Sequence, residues 1–187
     1  MNRQEAWELV QEYNESESLR EHALQVEAVM EHFAKRYGES VEEWGLVGLL
    51  HDLDYEKYPE KHCEMTEKIL KEKGLEDHLI RAIMSHGYGI CTDVKPETNM
   101  EKTLYAIDEL TGLVRACCLV RPSKSVLDLK VKSVNSKFKN PKFAEGCDRD
   151  LILQGIEMMG MEKNEVIQEV IAGLQEKAEE VGLKGNL

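Results

Sequence analysis

The sequence lacks the features that would mark a membrane protein or a disulfide-rich secreted protein. Its longest apolar runs fall far short of the about 20 residues that a transmembrane helix needs. Residues 1–5 are polar and contain no apolar signal-peptide core. The five cysteines are odd in number and show no Cys-x-x-Cys spacing, which argues against a disulfide framework and a zinc–cysteine site. We therefore expect a soluble cytoplasmic protein.

Positive charge is also scarce. The chain has 36 acidic residues against 24 basic ones, for a net charge of -12. Such an excess of negative charge repels phosphate-rich polymers, so we expect neither a nucleic-acid polymer nor a membrane surface as a partner. Residues 115–142 are an exception, because they contain eight basic residues and a single acid, Asp128.

An alternating β pattern is missing as well, whereas helical periodicity runs through almost the whole chain. Capping and glycine signals divide this pattern into segments. One helix follows a capping-box sequence at Ser40 and ends at His51 and Asp52. The other predicted helices cover residues 3–13, 18–37, 61–73, 76–86, 100–119, 148–159 and 163–181. With 187 residues and no internal repeat or linker, the chain is predicted to be a single all-α domain.

His51 and Asp52 come directly after the apolar run 45–50, so we expect both in the interior. A buried imidazole beside a buried carboxylate is costly unless both are paired or bind a metal. Further inward-facing polar residues lie on the apolar faces of other predicted helices: His22, His62, His86 and Asp108. His32 and His78 fall outside those faces and are predicted to be surface residues.

Imidazoles combined with carboxylates suit a divalent transition metal such as Fe, Mn, Co, Ni or Zn. Six such ligands exceed what one metal with an open position needs, so the set is typical of two metals bridged by Asp52. Adjacent helical residues point about 100° apart, so His51 and Asp52 can share a site only where their helix ends.

The order His22, His51-Asp52, Asp108 resembles the HD-domain superfamily of metal-dependent phosphohydrolases, over residues 18–120. His62 opens a segment similar to the one that supplies a third histidine in the binuclear members, and His86 falls where their fourth histidine lies. The chain lacks the Gly-Tyr-Pro signature of one phosphodiesterase branch of this superfamily, so the resemblance does not extend to that branch. The chain looks most like the small predicted HD superfamily hydrolases of bacteria. The resemblance implies a helical bundle of about eight to ten helices, with a core at about 18–120 and a C-terminal helical extension at about 121–187.

The resemblance also implies roles for the inward-facing residues. His22, His51, Asp52 and Asp108 would hold a first metal, and His62 and His86 would hold a second that Asp52 bridges. Asp52 and His51 would thus be catalytic, and the chain would carry one or two divalent ions. A metal lowers the pKa of bound water from about 15.7 toward about 7, so the expected reaction is hydrolysis of a small phosphorylated metabolite or nucleotide by metal-activated water. Asp54 is a weaker candidate for an assisting acid or base.

A reacting phosphate also needs cationic partners. The candidates are Arg20, Arg115, Arg121, Lys124 and Lys132. Substrate selection is expected in loops 53–61 and 87–99 and in the segment 112–142, which contain no motif that identifies a substrate. Two alternatives remain open, a di-iron oxygenase on the same ligands and a non-catalytic metal- or nucleotide-binding domain.

Overall fold

The computed structural model describes residues 1–187 and is helical throughout, with one isolated bridge between Tyr88 and Thr92. The all-α prediction of eight to ten helices is confirmed. The nine α-helices are α1 (Arg3–Tyr13), α2 (Glu17–Tyr37), α3 (Val41–Leu50), α4 (Glu64–Glu72), α5 (Asp77–Ser85), α6 (Asn99–Leu119), α7 (Val131–Phe138), α8 (Arg149–Met159) and α9 (Lys163–Glu176). A short 3-10 helix, Pro59–Lys61, precedes α4.

Two features of the helix pattern differ from the sequence prediction. Helix α7 was not predicted, because it is short and buries only Val134 and Phe138. Helix α9 ends at Glu176 rather than at residue 181. The apolar pattern continues past that end because Val181 and Leu183 remain buried in the turns that follow.

Helix α3 is almost entirely buried and crosses α2 at very close range. A Cβ atom at Gly48 would lie 2.9 Å from the carbonyl oxygen of Val26 and 3.0 Å from the Cα atom of Glu27. Only glycine permits backbones to approach this closely. The close crossing brings the C-terminal end of α3 against the middle of α2.

The long helix α6 packs against α2, α5, α7, α8 and α9. Its contact with α8 also depends on a glycine, because a Cβ atom at Gly155 would lie 2.5 Å from the Cα atom of Ala106. One continuous core of 48 buried apolar residues joins these helices. No helix combines the length and the apolar character needed to cross a membrane.

Helix starts follow the predicted signals in part. Ser40 caps α3 by accepting a hydrogen bond from the Glu43 backbone N–H at 3.3 Å, which is one half of a capping box. Ser16 is the N-cap of α2 but makes no side-chain cap. Its backbone N–H donates to Glu56 at 3.0 Å instead, which ties the start of α2 to the loop after α3.

Candidate metal centre

The inward-facing histidines and aspartates come from five parts of the fold and meet at one cavity. His22 and Asp108 project from α2 and α6. His51 and His86 are the residues that directly follow α3 and α5. Three groups of side chains have ligand atoms within 4.8 Å of one another. The first is His22, His51, Asp52 and Asp108, and the second is Asp52, His62 and His86. The third is His62 with Cys63 and Cys91, whose two sulfur atoms are paired with each other.

The first group is arranged around Asp108. Its Oδ1 atom lies 2.9 Å from Nε2 of His22 and 3.3 Å from Nε2 of His51. The second carboxylate of the group, Asp52, places Oδ2 3.3 Å from the same His51 nitrogen. Two imidazole nitrogens thus face two carboxylates.

The second group uses the other oxygen of Asp52. Its Oδ1 atom lies 3.3 Å from Nε2 of His86 and 3.5 Å from Nε2 of His62. The Nε2 atoms of these two histidines are 3.3 Å apart. Asp52 therefore presents one oxygen to each group, and it can do so because it follows the last turn of α3.

The helix ends orient two of the imidazoles. Nδ1 of His51 donates to the carbonyl oxygen of Gly48 at 2.7 Å, and Nδ1 of His86 donates to that of Ile83 at 2.5 Å. Each acceptor is the carbonyl three residues earlier in the helix. A proton on Nδ1 leaves Nε2 with a free lone pair, so both rings direct a potential metal ligand toward Asp52.

His62 is oriented by Asp54, which the sequence indicated only as a weaker candidate for an assisting acid or base. Nδ1 of His62 donates to Oδ1 of Asp54 at 2.8 Å. Oδ2 accepts the backbone N–H of Thr66 at 2.8 Å, and Asp54 is completely buried. Burial raises the pKa of Asp54, but the hydrogen bonds from His62 and Thr66 outweigh it and keep the pKa below its ordinary value. A charged Asp54 holds the His62 proton on Nδ1 and leaves Nε2 free.

The residues present fit a bound cation. Nε2 of His51 is buried and has no hydrogen-bond partner, although two carboxylates lie near it. Nε2 atoms of His62 and His86 face each other, and their lone pairs repel unless a cation or a proton lies between them. A divalent ion of borderline hardness would accept the lone pairs of these nitrogens, and it would thus remove both the missing partner of His51 and the repulsion between His62 and His86.

Without a metal, protons supply the missing positive charge. Burial lowers the pKa of His51, but the charges of Asp52 and Asp108 outweigh it and raise the pKa well above its ordinary value. Burial raises the pKa of both aspartates, yet the facing His51 holds each pKa well below its usual range. A metal must displace these protons, so its affinity falls as the pH is lowered.

The site opens into a cavity of about 620 Å³. Its walls include Tyr105 and Glu109 from α6 and three residues from beyond the ligand-bearing helices, Gly146, Cys147 and Leu151. None of these was predicted as a site residue. Glu109 directly follows the predicted ligand Asp108, which is a signal that could have identified it. Burial and the charge of Asp108 raise the pKa of Glu109 to about 7.

The five predicted phosphate-binding cations divide into separate groups. Arg115 lines the cavity and pairs with Glu21 at 2.8 Å. Arg20 does not line it, because its guanidinium donates to the carbonyl oxygens of residues 11 and 14 at the end of α1. Lys124 is exposed in a turn and lines no described cavity. Arg121 and Lys132 line a different cavity beyond the end of α6.

Neither histidine predicted to lie on the surface joins the metal groups. His78 is exposed, as predicted. His32 is only partly exposed, because it lies between α2 and α9, where Glu169 and Glu176 each approach one ring nitrogen to 2.6 Å. His32 is therefore less exposed than predicted, since α9, a helix from distant sequence, covers part of its side chain.

The structure pairs Cys63 with Cys91 as a disulfide, a pairing that the odd cysteine count did not suggest. Cys63 directly follows the candidate ligand His62, and Cys91 lies in the loop between α5 and α6, close after His86. A Cβ atom at Gly87 would lie 2.8 Å from Sγ of Cys63. Gly87 therefore permits the close approach of sulfur to backbone beside the site.

The comparisons with known proteins agree with this geometry. Residues 19–113, which carry all six inward-facing histidines and aspartates, match the family model described as the HD domain. No curated protein and no solved structure gives a significant match. The matched segment spans half of the chain and covers the same helices that converge on the cavity. The chain therefore belongs to the HD domain family, whose members are in general metal-dependent phosphohydrolases.

Proposed function

We propose that this protein is a metal-dependent phosphohydrolase that cleaves a small phosphorylated metabolite or nucleotide with metal-activated water. The observation that carries the proposal is the position of Asp52, whose two oxygens face two different histidine groups. That arrangement supports two divalent ions held close together, the layout that stabilises both the attacking and the leaving oxygen of a phosphoryl group.

Each residue then has a defined task. His22, His51, Asp52 and Asp108 would hold a first ion. His62 and His86, together with Asp52, would hold a second ion. When bound, the ions supply a nucleophile at neutral pH and polarise the phosphoryl oxygens.

The charges around the cavity favour a substrate with one phosphate group. Besides the ligands Asp52 and Asp108, the cavity is lined by Glu109 and by a single basic residue, Arg115. Arg115 is already paired with Glu21, although its Nε atom has no hydrogen-bond partner. A monoester dianion can be balanced by the ions and Arg115, whereas a polyphosphate would bring charge that no further lining cation balances.

The remainder of the substrate would contact a mixed wall. Tyr55, Ile90, Tyr105 and Leu151 line the same cavity, and a volume of about 620 Å³ falls within the range of about 300–1,000 Å³ for small-molecule sites. This wall suits an organic group that carries little charge.

The test is a screen of phosphate monoesters, polyphosphates and diesters with the protein loaded with Mn, Co, Ni, Zn or Fe. The readout is release of inorganic phosphate for monoesters and polyphosphates, and release of the alcohol for diesters. We expect release from monoesters, and we expect Asp52→Asn to lower it by more than about 100-fold, since losing even an outer-sphere partner of a metal ligand costs about 10–100-fold. Asp77→Asn, at an exposed position outside the metal groups and outside the segments expected to select the substrate, is the matched control.

Oxygen consumption by the iron-loaded protein without phosphate release would overturn the hydrolase proposal in favour of the oxygenase alternative. Tight binding of a nucleotide without turnover would favour the non-catalytic alternative.

A further inference from the structure

A second cavity of about 450 Å³ lies between the C-terminal end of α6 and one face of α7. The turn after α6 contributes Val120 and Arg121, and α7 contributes Lys132, Ser133, Ser136 and Lys137. Lys132 and Ser136 are four residues apart, as are Ser133 and Lys137, so the four side chains lie along one side of the helix.

The charge of this cavity is opposite to that of most of the molecule. Three basic side chains line it and no acidic one does, in a chain with a net charge of -12. Of the three, only Arg121 forms an ion pair, with Asp128 at 2.5 Å. Lys132 and Lys137 therefore keep uncompensated positive charge, and two serine hydroxyls lie beside them.

The lysine ammonium of Lys137 is partly held in place. Its Nζ atom lies 4.9 Å from the centre of the Phe143 ring, a contact that restricts the side chain without neutralising its charge. A cation held in this way loses less side-chain freedom when it binds an anion.

This cavity is separate from the metal centre. The two cavities share no lining residue. The metal cavity is lined by Asp52, Asp108 and Glu109 and by one paired arginine, whereas the α7 cavity is lined by cations and hydroxyls. Arg121 and Lys132 therefore lie outside the metal cavity and together line the α7 cavity, which is a separate candidate site for a ligand.

We propose that the α7 cavity is a binding site for a small phosphorylated molecule, distinct from the metal centre. Lys132 and Lys137 would bind the phosphate dianion, the serine hydroxyls would donate to its oxygens, and Val120 would contact the organic part. Lysines and hydroxyls are common phosphate partners. A concave site of this volume suits a small molecule, and the net negative charge of the chain disfavours a polyanionic polymer.

The proposal is tested on the full-length, metal-loaded protein, labelled with ¹⁵N and titrated with inorganic phosphate at constant ionic strength. Amide shifts separate the α7 cavity from the metal centre, where phosphate is also expected to bind. We expect saturable shifts at Ser133, Ser136 and Lys137. The double variant Lys132→Gln/Lys137→Gln should weaken this binding by at least about tenfold, as expected for loss of charge-assisted hydrogen bonds.

The matched control is Lys139→Gln/Lys142→Gln, which removes the same charge from exposed positions of the same segment that do not line the cavity. We expect it to retain the affinity, and we expect shifts around His22 and His86 to be unchanged in both double variants. Absence of saturable shifts along α7, or an equal loss in the two double variants, would overturn the proposal. A single-stranded RNA that binds this face more tightly than phosphate would also overturn it, by assigning the face to a polymer.

Discussion

The role of Asp54 provides the sharpest prediction about the metal centre. Its Oδ1 atom accepts from Nδ1 of His62 and its Oδ2 atom accepts from the Thr66 backbone N–H, both at 2.8 Å. An asparagine has only one oxygen. If that oxygen accepts from Thr66, the amide NH₂ faces Nδ1 of His62, and the ring can avoid two opposed donors only by moving its proton to Nε2. A protonated Nε2 cannot bind a metal.

We therefore expect Asp54→Asn to weaken the metal bound by His62 and His86 by about 10–100-fold, the usual effect of losing an outer-sphere partner of a histidine ligand. This loss corresponds to about 1.4–2.7 kcal/mol of binding free energy. The metal held by His22 and Asp108 should keep its affinity, because Asp54 makes no contact with that group.

The assay is competitive titration with a chelator of known affinity, with metal content read by elemental analysis. ¹⁵N spectra of the histidine rings report the His62 tautomer directly, a readout that a purely structural role of Asp54 would not move. Asp93→Asn is the matched control at an exposed site. Two metals bound with unchanged affinity, and a His62 proton still on Nδ1, would refute the reasoning.

Three further predictions concern metal content, packing and pH. Elemental analysis of Asp52→Ala should show loss of both metals, whereas Asp108→Ala should lose only the first, because Asp52 alone belongs to both groups. Gly155→Ala should cost about 1–3 kcal/mol through overpacking against α6 and lower the Tm by about 2–4 °C per kcal/mol, while Gly146→Ala, which meets open space, should leave the Tm unchanged. Burial and Asp108 raise the pKa of Glu109 from 4.5 to about 7, so the wild-type carboxyl progressively destabilises the fold as the pH rises through that window. In chelator-treated protein, the Glu109→Gln variant should then be more stable than the wild type by about 1 kcal/mol above pH 7, a value discounted for solvent screening. Below about pH 4.5 the two proteins should be equally stable. A stability difference that grows toward low pH would contradict the raised pKa of Glu109.

Local periodicity in the sequence determined the helical class and the six inward-facing histidines and aspartates, because an apolar stripe at helical spacing indicates which side of a helix faces inward. The resemblance to the HD-domain superfamily implied that these six residues form one site. His51 and Asp52 could be placed at a helix end since an apolar run stops there and loop signals follow.

Tertiary structure decided how those residues are used and which others join them. Whether Arg115 or Arg121 lines the metal cavity depends on where α7 and α8 cross α6. Helix crossings are set by contacts between distant segments. The orientation of His62 depends on Asp54 across a loop, and the cover over His32 comes from α9. Local spacing carries no information about such contacts. The candidate ligand set could therefore be predicted from the sequence, whereas the other walls of the metal cavity and the separate basic cavity required the fold.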